Sequence, residues 1–234
     1  GVCTLIDFIP FTDNEHNVDL VRLVRGDSGC VKLHMTLCLR FGYGQAIPWV
    51  RRHDYGISAV SGPDALQIYT PVELHGKDFT TVADFSVEAG TTVPFTLAYQ
   101  PSHWPPRPLT DYLYQLQQTE QQWQVWCGRC QFARDESHSW HKAITRSLIT
   151  LKMLTYSPTG GIVAAPTTSL PEQIGGERNW DYRYCWIRDS TLALYALLTS
   201  GYLEEAKAWR QWLLRAAAGN PAQLQIMYGL FGER

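Results

Sequence analysis

Eleven consecutive residues, Asn179-Trp180-Asp181-Tyr182-Arg183-Tyr184-Cys185-Trp186-Ile187-Arg188-Asp189, hold four aromatics, two arginines and two aspartates. This mixture suits a neutral polyhydroxyl ligand. Aromatic faces stack on C–H surfaces, while a fixed carboxylate and guanidinium supply charge-assisted hydrogen bonds to hydroxyls. Charge alone would not require the rings. A plainer role is equally open to Asp189: capping a helix that starts at Ser190, with Arg188 paired on the surface. A second spacing with chemical content is Trp126-Cys127-Gly128-Arg129-Cys130. A Cys-x-x-Cys can form a redox dithiol, but this one follows the polar, helix-like stretch Leu113 to Trp123 instead of a buried strand, and no second cysteine pair completes a zinc site. The six cysteines, at 3, 30, 38, 127, 130 and 185, form no regular disulfide framework and are expected as reduced thiols. No cofactor and no metal are expected.

The elements that must position the aromatic and charged cluster are helical. Residues 160 to 189 follow neither a strand nor a helix period, and a loop of that length inside a compact domain is often functional. Before it, a helix from about Ser137 repeats Trp140, Ile144, Leu148, Leu151 and Leu154 along one face until Ser157-Pro158-Thr159-Gly160-Gly161 ends it. After it come helices at about 190–199 and 203–218, separated by Gly201, an antiparallel pair. Further upstream a Gln-rich helix spans about Thr110 to Arg129. Residues 1 to 100 carry β periodicity instead. In Val31–Phe41 every odd position is apolar, which puts one face on a core and the other towards water; His34 and Arg40 fall on the solvated face. Similar runs at Val2–Ile9, Asp19–Val24, Gly56–Ser61, Leu66–Thr70, Thr80–Val87 and Val93–Tyr99 predict an antiparallel β-sandwich. Pro101-Ser102-His103-Trp104-Pro105-Pro106-Arg107-Pro108 breaks both periods and reads as a semi-rigid linker. The predicted organisation is a sandwich domain at 1–100, a linker with its helix at 101–136, and a helical domain at 137–234.

Composition narrows the function classes. Of 234 residues, 45% are hydrophobic and 18% charged, the balance of a packed globular chain. Lys plus Arg is 20 and Asp plus Glu is 22, a formal charge of 20 − 22 = −2, so no nucleic-acid partner is expected. No run approaches the ~20 apolar residues of a membrane helix, and the first twenty residues hold Asp7, Asp13, Glu15, His16 and Asp19 where a signal peptide would be apolar. The expected setting is cytoplasmic, without membrane contact. The start at Gly1 inside a strand-like run and the stop at Gly232-Glu233-Arg234 suggest an excised fragment. Nine Trp, twelve Tyr and eight Phe suit both a core and a sugar ring, and burial in a core is the commoner use.

Gly161-Ile162-Val163-Ala164-Ala165-Pro166 followed by Tyr182-Arg183-Tyr184-Cys185-Trp186-Ile187-Arg188-Asp189-Ser190 resembles glycoside hydrolase family 15, the glucoamylases and their bacterial trehalase-like relatives. The resemblance spans essentially the whole chain. It implies a β + α multidomain fold, a β-sandwich followed by the first helices of an incomplete (α/α)6 barrel. It also implies an inverting, exo-acting α-glucoside hydrolase of glucoamylase or trehalase type, acting on an oligosaccharide or disaccharide. In that family Arg188 and Asp189 would grip the non-reducing glucose of subsite −1 through its O4 and O6 hydroxyls. Tyr182 and Trp186 would line the pocket, with Trp180 and Arg183 at its rim. Inversion uses one carboxylic acid and one carboxylate about 6.5–9.5 Å apart. The family's two glutamates lie on later barrel loops. Glu172, Glu177 and Glu233 lack that context and are expected at the surface, so no catalytic residue is assigned here and the segment alone is expected to be inactive. Two other classes compete: a non-catalytic carbohydrate-binding module, and an inverting disaccharide phosphorylase, in which phosphate replaces the activated water. The lack of a phosphate-cradling loop favours hydrolysis over the second.

Overall fold

The computed structural model describes residues 1–12, 18–108, 110–134, 139–167 and 171–234. The chain divides into two compact units, Gly1–Gln122 and Trp123–Arg234.

Among the described residues the first unit contains nine strands: β1 (Val2–Phe8), β2 (Val18–Ser28), β3 (Cys30–Leu37), β4 (Trp49–His53), β5 (Gly56–Ser61), β6 (Asp64–Tyr69), β7 (His75–Lys77), β8 (Thr80–Glu88) and β9 (Thr92–Pro101). Six form an antiparallel sheet in the order β1-β2-β9-β6-β5-β4, and three form a second, β3-β8-β7. The alternating apolar residues of β3 alternate in exposure along the strand. Inward side chains of the two sheets meet in shared clusters. Ile57, Ala59 and Ile68 of the larger sheet pack with Ala83 and Met35 of the smaller, and Val24 and Phe95 pack with Val87 and Phe85. Sheet-on-sheet burial of this kind is what strands with one apolar face require. Strands β4 and β7 carry no alternation to betray them: β4 is the edge run Trp49-Val50-Arg51-Arg52-His53, mostly exposed. His34 is exposed, with Nδ1 2.7 Å from Asp84. Arg40 departs from its expected place. Strand β3 ends at Leu37, and Nη1 of Arg40 donates to the carbonyls of Leu39 and Phe79 at 2.6 and 3.0 Å.

The proline-rich segment lies against the larger sheet. By register Asp19 and Ala98 face the same way, as do Tyr69 and Thr96, and Gln100 shares that face, the one away from the inter-sheet core. Gln100 Nε2 donates to the carbonyls of Trp104 and Pro105, both at 3.0 Å. The Tyr69 hydroxyl donates to the Arg107 carbonyl at 2.8 Å, and the Arg107 guanidinium pairs with Asp19. Helix α1 (Tyr112–Cys127) then starts with Asp111 Oδ1 accepting the amides of Leu113 and Tyr114 at 2.9 and 3.1 Å, a side-chain N-cap.

Among the described residues the second unit holds the end of α1, the helices α2 (His141–Met153), α3 (Ile187–Thr199) and α4 (Leu203–Ala216), and two short paired strands, β10 (Cys185–Trp186) and β11 (Met227–Tyr228). Ser137, the expected start of the second helix, lies outside the described residues. Along α4 the buried residues are Glu205, Trp209, Trp212 and Ala216, spaced at three and four as one inward face demands. Helix α3 ends in a Schellman motif. Gly201, at φ +98°, donates to the Leu198 carbonyl and Tyr202 to the Leu197 carbonyl, at 3.0 and 2.9 Å, and the Tyr202 and Leu197 side chains share one cluster. Such a short connection folds α4 back along α3. Glu205 is buried on this face, where its Oε1 accepts Trp126 Nε1 at 2.8 Å and pairs with Lys152 Nζ at 2.9 Å. The Cys-x-x-Cys lies at the end of α1 with Cys130 buried. Burial pushes the Cys127 thiol up, the opposite of what an attacking dithiol needs. Among the described residues, no helix is long and apolar enough to cross a membrane.

Candidate functional site

The loop after α2 is held by backbone pairing that its sequence period does not announce. Gly161 accepts the Tyr156 amide at 2.8 Å, Val163 donates to Leu154 at 3.0 Å, and Ala164 and Ala165 donate to the carbonyls of Tyr184 and Tyr182 at 3.1 and 2.9 Å. An extended Gly161–Ala165 therefore lies between the end of α2 and the segment bearing the cluster. Gly161 is the tight point. A Cβ there would stand 3.0 Å from Trp212 Nε1 and 3.1 Å from both Cys185 Sγ and the Leu230 carbonyl oxygen. On the far side, Cys185 and Trp186 pair with Tyr228 and Met227. Buried Ser190 donates its hydroxyl to the Ile162 carbonyl at 2.9 Å, tying the first turn of α3 to the same extended segment. Behind these pairings Ile162, Cys185, Ala193, Trp209, Trp212 and Tyr228 form one buried cluster.

Helix α3 begins at Ile187, earlier than the sequence period suggests. Trp186 occupies the N-cap position with extended backbone and no side-chain cap bond. Asp189 is therefore not a capping residue for a helix starting at Ser190; it sits within the first turn, where the partial positive charge of the helix end favours a carboxylate. Its Oδ2 accepts Arg188 Nη2 and Nε at 3.1 and 3.3 Å. The Arg188 side chain is mostly exposed and that of Asp189 largely covered, 70% against 29%. The Asp189 charge and hydrogen bond, with a smaller contribution from Tyr182, hold the Arg188 guanidinium above its ordinary range, so the pair presents a permanent donor beside a carboxylate acceptor.

The rings gather beside this pair. Tyr182 and Trp186 have centroids 5.5 Å apart at 58°, and Trp180 meets Trp186 edge-on at 6.3 Å and 86°. Trp186 is oriented by its Nε1 donating to the Asp181 carbonyl at 2.8 Å, and Trp180 by its Nε1 donating to Glu172 Oε1 at 2.8 Å. The structure thus brings Trp180, Tyr182, Trp186, Arg188 and Asp189 into one neighbourhood. Arg183 is turned to Asp181 instead: Nη2 meets Oδ2 at 2.6 Å, and Nε and the backbone amide both meet Oδ1 at 3.0 Å. This pairing draws the Asp181 carboxyl below the usual carboxylate range.

Four residues that shape the site have no assigned role in the sequence reading. Asp181 joins Arg183 to Trp186, Glu172 anchors Trp180, Ser190 pins α3, and Gly161 leaves room for Trp212. Asp181 stands inside the eleven-residue cluster, and Gly161 and Ser190 inside the family motif, so their positions could have singled them out. Glu172 is recognisable only from its contact with Trp180. Glu233 also has a local partner, its Oε2 accepting the Phe231 amide at 2.9 Å.

Residues 139–234 match the family described as Glycosyl hydrolases family 15, and that part of the chain belongs to it. The chain is also similar to proteins named trehalase. It is 38% identical over 233 residues to one from Mycobacterium tuberculosis, covering 95% of this chain and 33% of that protein. It is 36% identical over 206 residues to one from Thermoplasma acidophilum, covering 86% of this chain and 34% of the relative. Trehalase 2 of Sulfolobus acidocaldarius is 52% identical over 68 residues, 29% of this chain and 12% of that protein. The chain spans about a third of the length of the curated relatives it matches along most of its own length.

Proposed function

We propose that the second unit supplies the glucose-holding part of an inverting, exo-acting α-glucoside hydrolase of the trehalase type. The observation that carries this reading is the Arg188–Asp189 pair, fixed in the first turn of α3 and bordered by Tyr182, Trp186 and Trp180. The carboxylate accepts and the guanidinium donates, so two neighbouring hydroxyls of a terminal glucose are satisfied together, while the rings cover its C–H surface. Holding the terminal hydroxyls closes one end of the pocket, which makes cleavage exo-acting. In this reading Arg188 and Asp189 bind O4 and O6, Tyr182 and Trp186 line the pocket, and Trp180 stands at the rim with Arg183, which orders the loop through Asp181.

The same proposal divides the chain into a sandwich domain at 1–100, a linker at 101–136 and the opening helices of an (α/α)6 catalytic domain at 137–234. The names of the relatives favour trehalose as substrate over maltodextrin ends. No residue of these 234 is assigned as acid or base, since Glu172 holds Trp180 and Glu233 holds the Phe231 amide. The test is glucose release by the full-length protein from trehalose, maltose and isomaltose, with the anomers followed by NMR before mutarotation. Inverting cleavage of trehalose yields one α- and one β-glucose. Release of α-glucose alone, or no turnover of any of the three sugars, would overturn the reading.

A further inference from the structure

We propose that the first unit carries a saccharide-binding cleft of its own, formed at the end of the larger sheet where β4 turns into β5. The cleft is about 620 Å³, within the roughly 300–1,000 Å³ typical of small-molecule sites. Register explains why it is there. His53 pairs with Gly56, Gly56 with Tyr69 and Tyr69 with Thr96 across four neighbouring strands, so one row of the sheet presents His53, a gap, Tyr69 and Thr96 on one face. The gap is enforced by the backbone. Gly56 has φ +150°, and a Cβ there would fall 1.9 Å from the Ile68 carbonyl oxygen. The His53 and Tyr69 rings meet across the gap at 5.6 Å and 55°, and Tyr55, Thr70, Glu73 and Tyr112 contribute walls.

Two features indicate a ligand and its class. His53 Nδ1 accepts the Tyr55 amide at 3.3 Å, so the uncharged ring carries its proton on Nε2. That nitrogen is buried and has no hydrogen-bond partner among the described residues, and buried donors are ordinarily satisfied. A ligand hydroxyl supplies the missing acceptor once the His53 ring turns Nε2 into the cleft it lines. The lining also mixes signs, Arg52 against Asp54 and Glu73, with Tyr55, Tyr69 and Tyr112. An anion site would be dominated by positive charge and a lipid site would lack the charges. Rings combined with opposed charged groups suit a neutral sugar. The Arg52 guanidinium is already positioned, donating to the Leu74 carbonyl and lying 3.8 Å from Glu73. This inference draws on the first unit alone and stands or falls separately from the reading of Arg188 and Asp189.

The test is NMR titration of the ¹⁵N-labelled 234-residue chain with trehalose, maltose and, as an anion control, inorganic phosphate. Expected is a saturable shift of His53 Nε2 and the Tyr55 amide with at least one of the sugars, persisting in Asp189→Asn. Tyr55→Ala and His53→Phe should each weaken it at least about tenfold, equivalent to about 1.4 kcal/mol. Tyr55 is exposed at 62%, so its variant keeps the test decisive even where His53→Phe fails to fold. No saturable shift with either sugar, a response to phosphate alone, or an undiminished response in Tyr55→Ala would overturn the proposal.

Discussion

Gly161→Ala probes the packing that holds the functional loop. The added methyl would meet Trp212 Nε1 at 3.0 Å and Cys185 Sγ and the Leu230 carbonyl oxygen at 3.1 Å. None of the three has an easy retreat. Trp212 and Cys185 are fully buried, and Trp212 Nε1 already donates to that same carbonyl at 2.9 Å. Relief therefore requires the indole or the β10–β11 pairing to shift by a few tenths of an ångström. Overpacking of a rigid core costs about 1–3 kcal/mol, and the reduced freedom of the unfolded chain returns about 0.4–1 kcal/mol. The net is about 1–2 kcal/mol of destabilisation, or roughly 2–8 °C in Tm for a chain of this size. Urea and thermal unfolding measure it directly, with Gly128→Ala as the control: its Cβ would have nothing nearer than 3.4 Å, so it should be neutral or mildly stabilising. If Gly161→Ala unfolds like the parent chain, the claim that Gly161 is required by Trp212 and Cys185 is wrong.

Three further outcomes are expected. Asp189→Asn in the full-length protein should lower kcat/KM on trehalose by about 10–100-fold, because a charge-assisted hydrogen bond contributes about 1.5–3 kcal/mol; unchanged kinetics would reduce Asp189 to a favourable charge at a helix end. Burial raises the Glu205 carboxyl, but hydrogen bonds from Trp126 and Lys152 outweigh it and leave the group below its ordinary range. Its contribution is therefore fully present above the unfolded value of about 4.3 and is lost as pH falls through the lower folded value. Glu205→Gln should cost about 2 kcal/mol at neutral pH, less than a fully buried pair because Lys152 is 32% exposed, and should flatten the acid limb of stability against pH; an acid limb as steep as that of the parent would refute it. Finally, burial pushes the Cys185 thiol up to about 12, so mass spectrometry after brief alkylation at mildly alkaline pH should find Cys30 and Cys38, both exposed, modified well before Cys185. Equal rates would show that the β10–β11 pairing opens readily.

Local periodicity was enough to locate most of the elements. The two-residue alternation of Val31–Leu37 and the three-and-four spacing of Ile144, Leu148 and Leu151 identify a strand and a helix because a buried face must repeat with the backbone's own period. Edge strand β4 escaped that test, since Trp49-Val50-Arg51-Arg52-His53 is mostly exposed on both faces and no burial imprints a pattern on it. The Trp-x-Arg-Asp-Ser run was legible as a family motif, and it marked where rings and charges would gather.

What the amino-acid sequence determined by itself was therefore most of the elements and the chemical character of residues 179–189. Only the tertiary structure decided which charge meets which partner. Arg183 and Arg188 are the same residue type five positions apart, yet one turns to Asp181 and the other to Asp189 beside Tyr182. The start of α3 at Ile187 also depends on distant chain: the Ile187 amide donates to the Ile226 carbonyl at 3.0 Å, and Cys185 and Trp186 pair with Tyr228 and Met227. Hydrogen bonds between residues some forty positions apart leave no periodic trace in either segment, so these contacts emerge only once the chain has folded.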